Sequence, residues 1–143
     1  MEKKIANLIK RKRKPFSISP DASVFSALEL MAMHDVGFLV VMEGTAMMGV
    51  LSERDYARKV DLQGKDPRTT KVGEVMTTEV YSIDAEQSYD DAMALMSEKD
   101  FRHLPVLKKG RLVAVISLGD VVKACIQNQK ETIDFLEDIA LDK

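Results

Sequence analysis

The chain has 143 residues, 45% of them apolar and 31% charged, with a formal charge of −2. This is the composition of an ordinary globule, with no global electrostatic pull toward nucleic acid or a membrane surface. One cysteine, Cys125, excludes an internal disulfide, and no apolar run reaches the roughly 18–20 residues a membrane span needs. By length the chain is one domain, or two half-size units sharing a core. A reducing, cytoplasmic location is expected, because the N-terminus carries no secretory apolar stretch.

Residues 1–14 are basic: Lys3, Lys4, Lys10, Arg11, Lys12, Arg13 and Lys14 against Glu2 leave +6. Ile5, Leu8 and Ile9 are spaced for one short amphipathic helix. The run 10–14 reads as a solvated connector or as an anion contact. Pro15 ends any helix, and residues 16–18 begin the first strand. Ser23 is placed as an N-cap, with Val24, Ala27, Leu28, Met31 and Ala32 on one helical face behind it. Residues 37–42 are apolar without alternation, which predicts a buried strand. Glu43-Gly44-Thr45 is a hairpin turn, 46–51 the returning strand, and Ser52 the cap of a helix to about Val60. Residues 61–70 hold Gly64, Pro67 and the charges of Asp61, Lys65, Asp66 and Arg68, and read as a linker. Thr70 is predicted to cap a short helix through Met76. The second half repeats this order. A strand at 80–83 leads to a helix capped by Ser88 with Asp91 three residues on. Strand 102–107, turn 108–110, strand 111–116 and a last helix follow.

That order is an ungapped duplication. Gly49-Val50-Leu51-Ser52-Glu53-Arg54-Asp55 returns as Ala114-Val115-Ile116-Ser117-Leu118-Gly119-Asp120, 65 positions on. Ile18 and Ile83, Ser23 and Ser88, Ala27 and Ala92, Met31 and Met96, and Val41 and Val106 keep the same shift. One β-α-β-β-α unit was built twice. Each copy alone is marginal, so the two sheets are expected to pair face to face. The expected divisions are 1–14 N-terminal helix and connector, 15–60 first repeat, 61–76 linker and short helix, 77–128 second repeat, and 129–143 helical extension. In the last helix Val122, Ile126, Gln129, Ile133, Leu136 and Ala140 step by 4, 3, 4, 3, 4. This heptad-like stripe runs past the repeat and should dock on another subunit or on the N-terminal helix.

The motifs at 49–55 and Arg102-His103-Leu104-Pro105-Val106, inside that duplication, resemble the CBS domain. The chain resembles a tandem CBS pair, or Bateman module, over about residues 5–128. The resemblance implies an α+β (α/β-type) fold: two β-α-β-β-α repeats packed sheet to sheet with pseudo-twofold symmetry and a cleft on either side. It implies a regulatory sensor of adenosine-containing ligands: AMP, ADP or ATP, with S-adenosylmethionine and NAD as further candidates. No cofactor is required. A homodimer and an unidentified protein effector are the expected partners, and neither a membrane nor nucleic acid is. Ligand would bridge the copies, change their relative angle and alter the surface offered to the effector.

The chemistry fits such a ligand. Asp55 and Asp120, in the first turn of a helix, can each accept from both ribose hydroxyls. Ser52 and Ser117, with the N–H groups of that turn, can receive phosphate oxygens. Ser-x-x-Asp is equally the pattern of a capping box, in which both groups only satisfy backbone donors. Each cleft in the family combines the turn of one copy with strands of the other. Cleft one then takes Ser52, Asp55, Val80, Tyr81, Arg102 and His103, with Arg54 and Arg58 nearby. Cleft two takes Ser117, Asp120, Phe16, Ser17, Gly37 and Phe38, with Lys14 as its nearest cation. Ile116 joins Val80 and Tyr81 as a candidate wall for adenine. A phosphorylated adenosine is expected to prefer cleft one.

Other candidates are weaker. His34 reads as a helix-terminal or surface residue, Cys125 as a packed helix residue, and the helical methionines as core filler. The spacing of two His and one Cys makes no zinc site. No Walker loop, dinucleotide glycine fingerprint or nucleophile elbow occurs, so an enzyme is the least supported class. The rival readings are a ligand-free dimeric scaffold working through the C-terminal helix, and nucleic-acid binding through residues 10–14. The acidic remainder of the chain argues against the latter.

Overall fold

The computed structural model describes residues 3–12 and 14–141. Glu2 and Arg13 of the basic run, and the last two residues of the predicted extension, lie outside them. The elements in order are α1 (Ile5–Leu8), β1 (Ser17–Ile18), α2 (Val24–His34), β2 (Phe38–Glu43), β3 (Ala46–Ser52), α3 (Glu53–Tyr56), α4 (Val72–Val75), β4 (Ile83–Asp84), α5 (Tyr89–Lys99), β5 (His103–Lys108), β6 (Arg111–Ser117) and α6 (Leu118–Leu141). A 3₁₀ turn, Ile9–Arg11, follows α1, and a π turn, Ala57–Asp61, follows α3. The chain divides into two compact units: residues 14–81, and residues 3–12 together with 82–141.

In the first unit β1 pairs parallel with β2, and β2 antiparallel with β3. The apolar side of α2, carried by Val24, Ala27 and Met31, is buried with Leu39, Val41 and Leu51, and Val60, Val72 and Val75 complete the cluster. Each aliphatic so buried is worth about 1.5–3 kcal/mol. Leu39, Val40 and Val41 are all fully buried. Both faces of β2 are therefore covered, as its unbroken apolar run requires. The second unit repeats the plan with β4, β5 and β6. Its core holds Ile83, Ala92, Met96, Leu104, Val106 and Ile116.

Local details recur at the same shift of 65. Ser23 caps α2 by accepting from the Ser26 N–H, and Ser88 caps α5 in a reciprocal box with Asp91. Both helices end on an aspartate in the left-handed region, Asp35 at φ 53° and Asp100 at φ 56°. Aspartate tolerates that conformation better than most residues. Both hairpins carry an irregularity, after Val41 and after Val106.

A further symmetry lies outside the ungapped repeat. α4 straps the first repeat: Val72 N–H donates to the Ala22 carbonyl, Gly73 N–H to Pro20, and Val24 N–H to Thr70. α1 straps the second repeat in the same way: Ile5 N–H donates to Gln87, Ala6 N–H to Ala85, and Tyr89 N–H to Lys3. Each strap gives the first N–H groups of its short helix a carbonyl partner. The N-terminal segment, expected as a short helix and connector, forms that helix and is also a structural piece of the second repeat, with Ile5 fully buried.

Two local expectations change. Thr70 does not cap α4. It is buried, its hydroxyl donates to the Asp66 carbonyl at 2.8 Å, and Lys71 stands at the cap position without a side-chain bond. The strap bonds have already satisfied the N–H groups that a cap would serve. The strand predicted at 80–83 shortens to Ile83–Asp84. Just before it, Thr77 exchanges both backbone bonds with Val50 of β3. α6 packs on α5 and α1, but not through the stripe from Val122 to Ala140, which is exposed, so the stripe does not dock on the N-terminal helix. Among the described residues no helix is long and apolar enough to cross a membrane.

Candidate functional site

Both Ser-x-x-Asp turns form where a strand runs directly into a helix. At the first, Ser52 Oγ accepts from the Asp55 N–H at 3.1 Å, and the Asp55 carboxylate accepts from the Ser52 N–H at 3.0 Å. This is a complete capping box. The second carboxylate oxygen accepts from the Thr77 hydroxyl at 3.1 Å, with Lys59 Nζ 3.2 Å away. Backbone bonds to Val50 hold Thr77 in place, at 2.9 and 2.8 Å. This close crossing needs Gly49, where a Cβ would lie 2.6 Å from the Thr77 carbonyl oxygen. The Asp55 side chain is left 14% exposed. α3 runs for four residues before the π turn, so it brings little dipole to the turn.

At the second turn, Ser117 Oγ accepts from the Asp120 N–H at 3.0 Å, and the Asp120 carboxylate accepts from the Ser117 N–H at 2.9 Å. Among the described residues no backbone bridge like that of Thr77 is made here. Lys12 reaches in instead: its ammonium donates to the Val115 carbonyl at 2.9 Å and to Asp120 at 2.5 Å. Val115 is the repeat partner of Val50, so Lys12 and Thr77 do corresponding jobs with different chemistry. Burial alone would raise the Asp120 pKa. The hydrogen bonds from Lys12 and Ser117 outweigh it and hold the carboxyl below its ordinary range. Its side chain is 33% exposed, more than twice the figure for Asp55. The helix behind it, α6, has 24 residues, so its N-terminus carries the full favourable partial charge for an anion.

His103 lies opposite Ser117 in the β5–β6 ladder. Burial lowers its pKa and outweighs the attraction of Asp120, so the ring is neutral at pH 7. The Arg102 carbonyl accepts from the Leu118 N–H at 2.7 Å, which ties the β5 entrance to the start of α6. The second unit by itself thus gathers Ser117, Asp120, Lys12, His103 and the Arg102 backbone. In the first unit, Phe38 lies opposite Ser52. Phe16 stacks on His34 with centroids 3.8 Å apart, giving His34 a helix-terminal packing role. Val80 and Tyr81 are half-buried, and Arg54, Arg58 and Lys14 are exposed. Arg54 lies in α3 and Arg58 in the π turn that follows it.

Sequence reasoning missed three residues at these turns. Lys59 was legible, being four residues beyond Asp55 on the same helical segment. Thr77 and Lys12 were not. The straps that deliver them match at a shift of 67, Ile5 with Val72 and Leu8 with Val75, and an ungapped walk at 65 passes over them. A groove of about 170 Å³ between α2 and Glu53, lined by Leu28, Met31 and Val36 among others, is smaller than the usual ligand pocket. Among the described residues no three ligating side chains cluster for a metal.

The geometry has close relatives. The family model described as CBS domain matches residues 6–61 and 72–127. A CBS-domain structure from Burkholderia ambifaria is 41% identical with a TM-score of 0.84, over 89% of this chain and 96% of that one. The CBS domain-containing protein YhcV of Bacillus subtilis is 35% identical over 79% of this chain and 80% of its own length. The mitochondrial CBS domain-containing protein CBSX3 of Arabidopsis thaliana is 38% identical over 81% of this chain, which spans 59% of that relative.

Proposed function

The chain belongs to the CBS domain family, as a tandem pair of CBS domains, and on that premise we propose that it is a cytoplasmic regulatory module that senses an adenosine-containing nucleotide through its Ser-x-x-Asp turns. The observation that carries this reading is Asp120. It is a part-exposed carboxylate at the N-terminus of a long helix, covered by a single lysine side chain. An exposed ion pair such as Lys12–Asp120 contributes about 0–1 kcal/mol. A hydrogen bond from a ribose hydroxyl to a carboxylate contributes about 1.5–3 kcal/mol. The diol therefore displaces the ammonium, which is then free to neutralise the ligand's phosphate.

The sequence-based order put the Asp55 turn first, on the strength of Arg102 and His103. We reverse it. Asp55 is nearly covered, both its oxygens are bonded, and Thr77 is locked by backbone. Ser52, Asp55, Arg54 and Arg58 form the secondary candidate. Phe16, Phe38, Val80, Tyr81, Arg102 and His103 remain candidate contacts for adenine or phosphate. Ligand binding acts by population shift: it favours whichever arrangement of the molecule binds it better, and a protein effector reads the result.

The test is a thermal-shift screen with AMP, ADP, ATP, S-adenosylmethionine and NAD. A ligand at a hundredfold its Kd raises stability by about 2.7 kcal/mol. At least one of the five should do so, and a flat screen overturns the reading. A second reading has its own support: both acids are satisfied by caps, and α6 presents an apolar stripe. It makes the protein a ligand-free dimeric scaffold. It predicts that Asp120→Ala changes stability while no nucleotide titrates.

A further inference from the structure

The heptad-like stripe of α6 is not the face that holds the helix to its own unit. Val122, Ile126, Gln129, Ile133, Leu136 and Ala140 are all exposed, Ile126 to 61% and Leu136 to 57%. The helix packs through other positions: Val121 is buried, and Ala124, Cys125 and Asn128 are half-buried. At about 100° per residue these lie roughly 120° around from the stripe. On the packed side Glu131 is pinned to Lys3 at 2.6 Å, which fixes the helix against the N-terminal segment. From Ile133 to Ala140 every side chain is exposed, so the last two turns project from the unit. A narrow apolar seam at strict 4-3 spacing is the pattern of a helix that pairs with another helix.

We propose that a second copy of this chain covers the seam, with the two α6 helices antiparallel about a twofold axis near residue 131. The charges select that occupant and that direction. One flank of the seam carries Lys123 and Lys130 in its first half and Asp134 and Glu137 in its second. A twofold near residue 131 lays Lys123 along Glu137 of the second copy, while each Lys130, beside the axis, lies equally near the other copy's Asp134 and Lys130. A parallel pair would gather the acidic halves of both helices together. The same axis sets Ile126 against Leu136 and Ile133 against Gln129, so charge and apolar matching agree on one register. Such a contact is isologous and closes on itself, limiting the assembly. The inference stands apart from nucleotide binding and survives its failure.

The experiment is sedimentation of the full chain across a concentration series, with circular dichroism as the check on folding. Ile126→Glu combined with Leu136→Glu should halve the mass seen for the parent protein and leave the unfolding transition in place, since both positions are exposed. Lys123→Glu and Glu137→Lys should each weaken self-association about threefold to tenfold at low salt, in line with exposed ion pairs counted twice across the axis. The two together should restore it. An unchanged mass in the Ile126/Leu136 variant overturns the proposal. So does a double reversal that associates no better than either single one.

Discussion

Asp120→Ala and Asp91→Ala remove chemically equivalent groups from the same unit, and comparing them separates capping from binding. Each aspartate closes a reciprocal capping box, Asp91 with Ser88 at the start of α5 and Asp120 with Ser117 at the start of α6. Losing the box bond costs about 1 kcal/mol in either case. Asp120→Ala also loses the Lys12 pair, about 0–1 kcal/mol more. The stability losses should therefore agree within about 1 kcal/mol, measured by urea unfolding without ligand. Binding should not agree. Asp120→Ala removes the acceptor for the ribose diol, about 1.5–3 kcal/mol, or one to two decades of affinity for AMP by calorimetry. Asp91→Ala should leave that affinity within about twofold, since additive effects are expected of sites with no shared partner. Equal affinities in the two variants would reduce Asp120 to a cap and refute the reasoning.

Three other outcomes follow from the same geometry. Gly49→Ala drives a methyl into the Thr77 carbonyl, 2.6 Å away, and should cost about 1–3 kcal/mol in unfolding free energy; its repeat partner Ala114 already carries that methyl. Burial holds the folded-state pKa of His103 below the usual 6.5, so the unfolded chain binds more protons and stability falls as pH drops through about 6.5. His103→Gln should flatten that slope in pH-dependent thermal unfolding. Lys12→Ala should lower the affinity for AMP relative to adenosine, narrowing their ratio in paired titrations, because the phosphate loses its ammonium while the ribose loses a competitor.

Much of the fold was legible because it rests on short-range rules applied twice. The caps at Ser23 and Ser88 and the unbroken apolar runs of β2 and β5 are readable wherever they occur, and the shift of 65 confirms each from its copy. The missed parts depend on pairing distant in sequence. Lys12 lies in a run of like charges with no period to mark one member, and it meets Asp120 across 108 positions. Thr70 carries the right hydroxyl for a cap, yet strap bonds made by Val72 and Gly73 with Ala22 and Pro20 left it no donor to serve. The relative access of the two aspartates was also hidden, since a backbone-anchored threonine and Lys59 meet one and a lysine from the N-terminal segment meets the other. For α6, spacing revealed the stripe, but only the packed positions beside it show that the stripe is unused within its unit.

The most direct measurement compares AMP with 2′-deoxy-AMP by titration calorimetry on the unaltered protein. An acid that grips the sugar diol should bind the deoxy compound at least tenfold more weakly, the loss of one charge-assisted bond of about 1.5 kcal/mol or more. Equal affinity for the two would contradict the account.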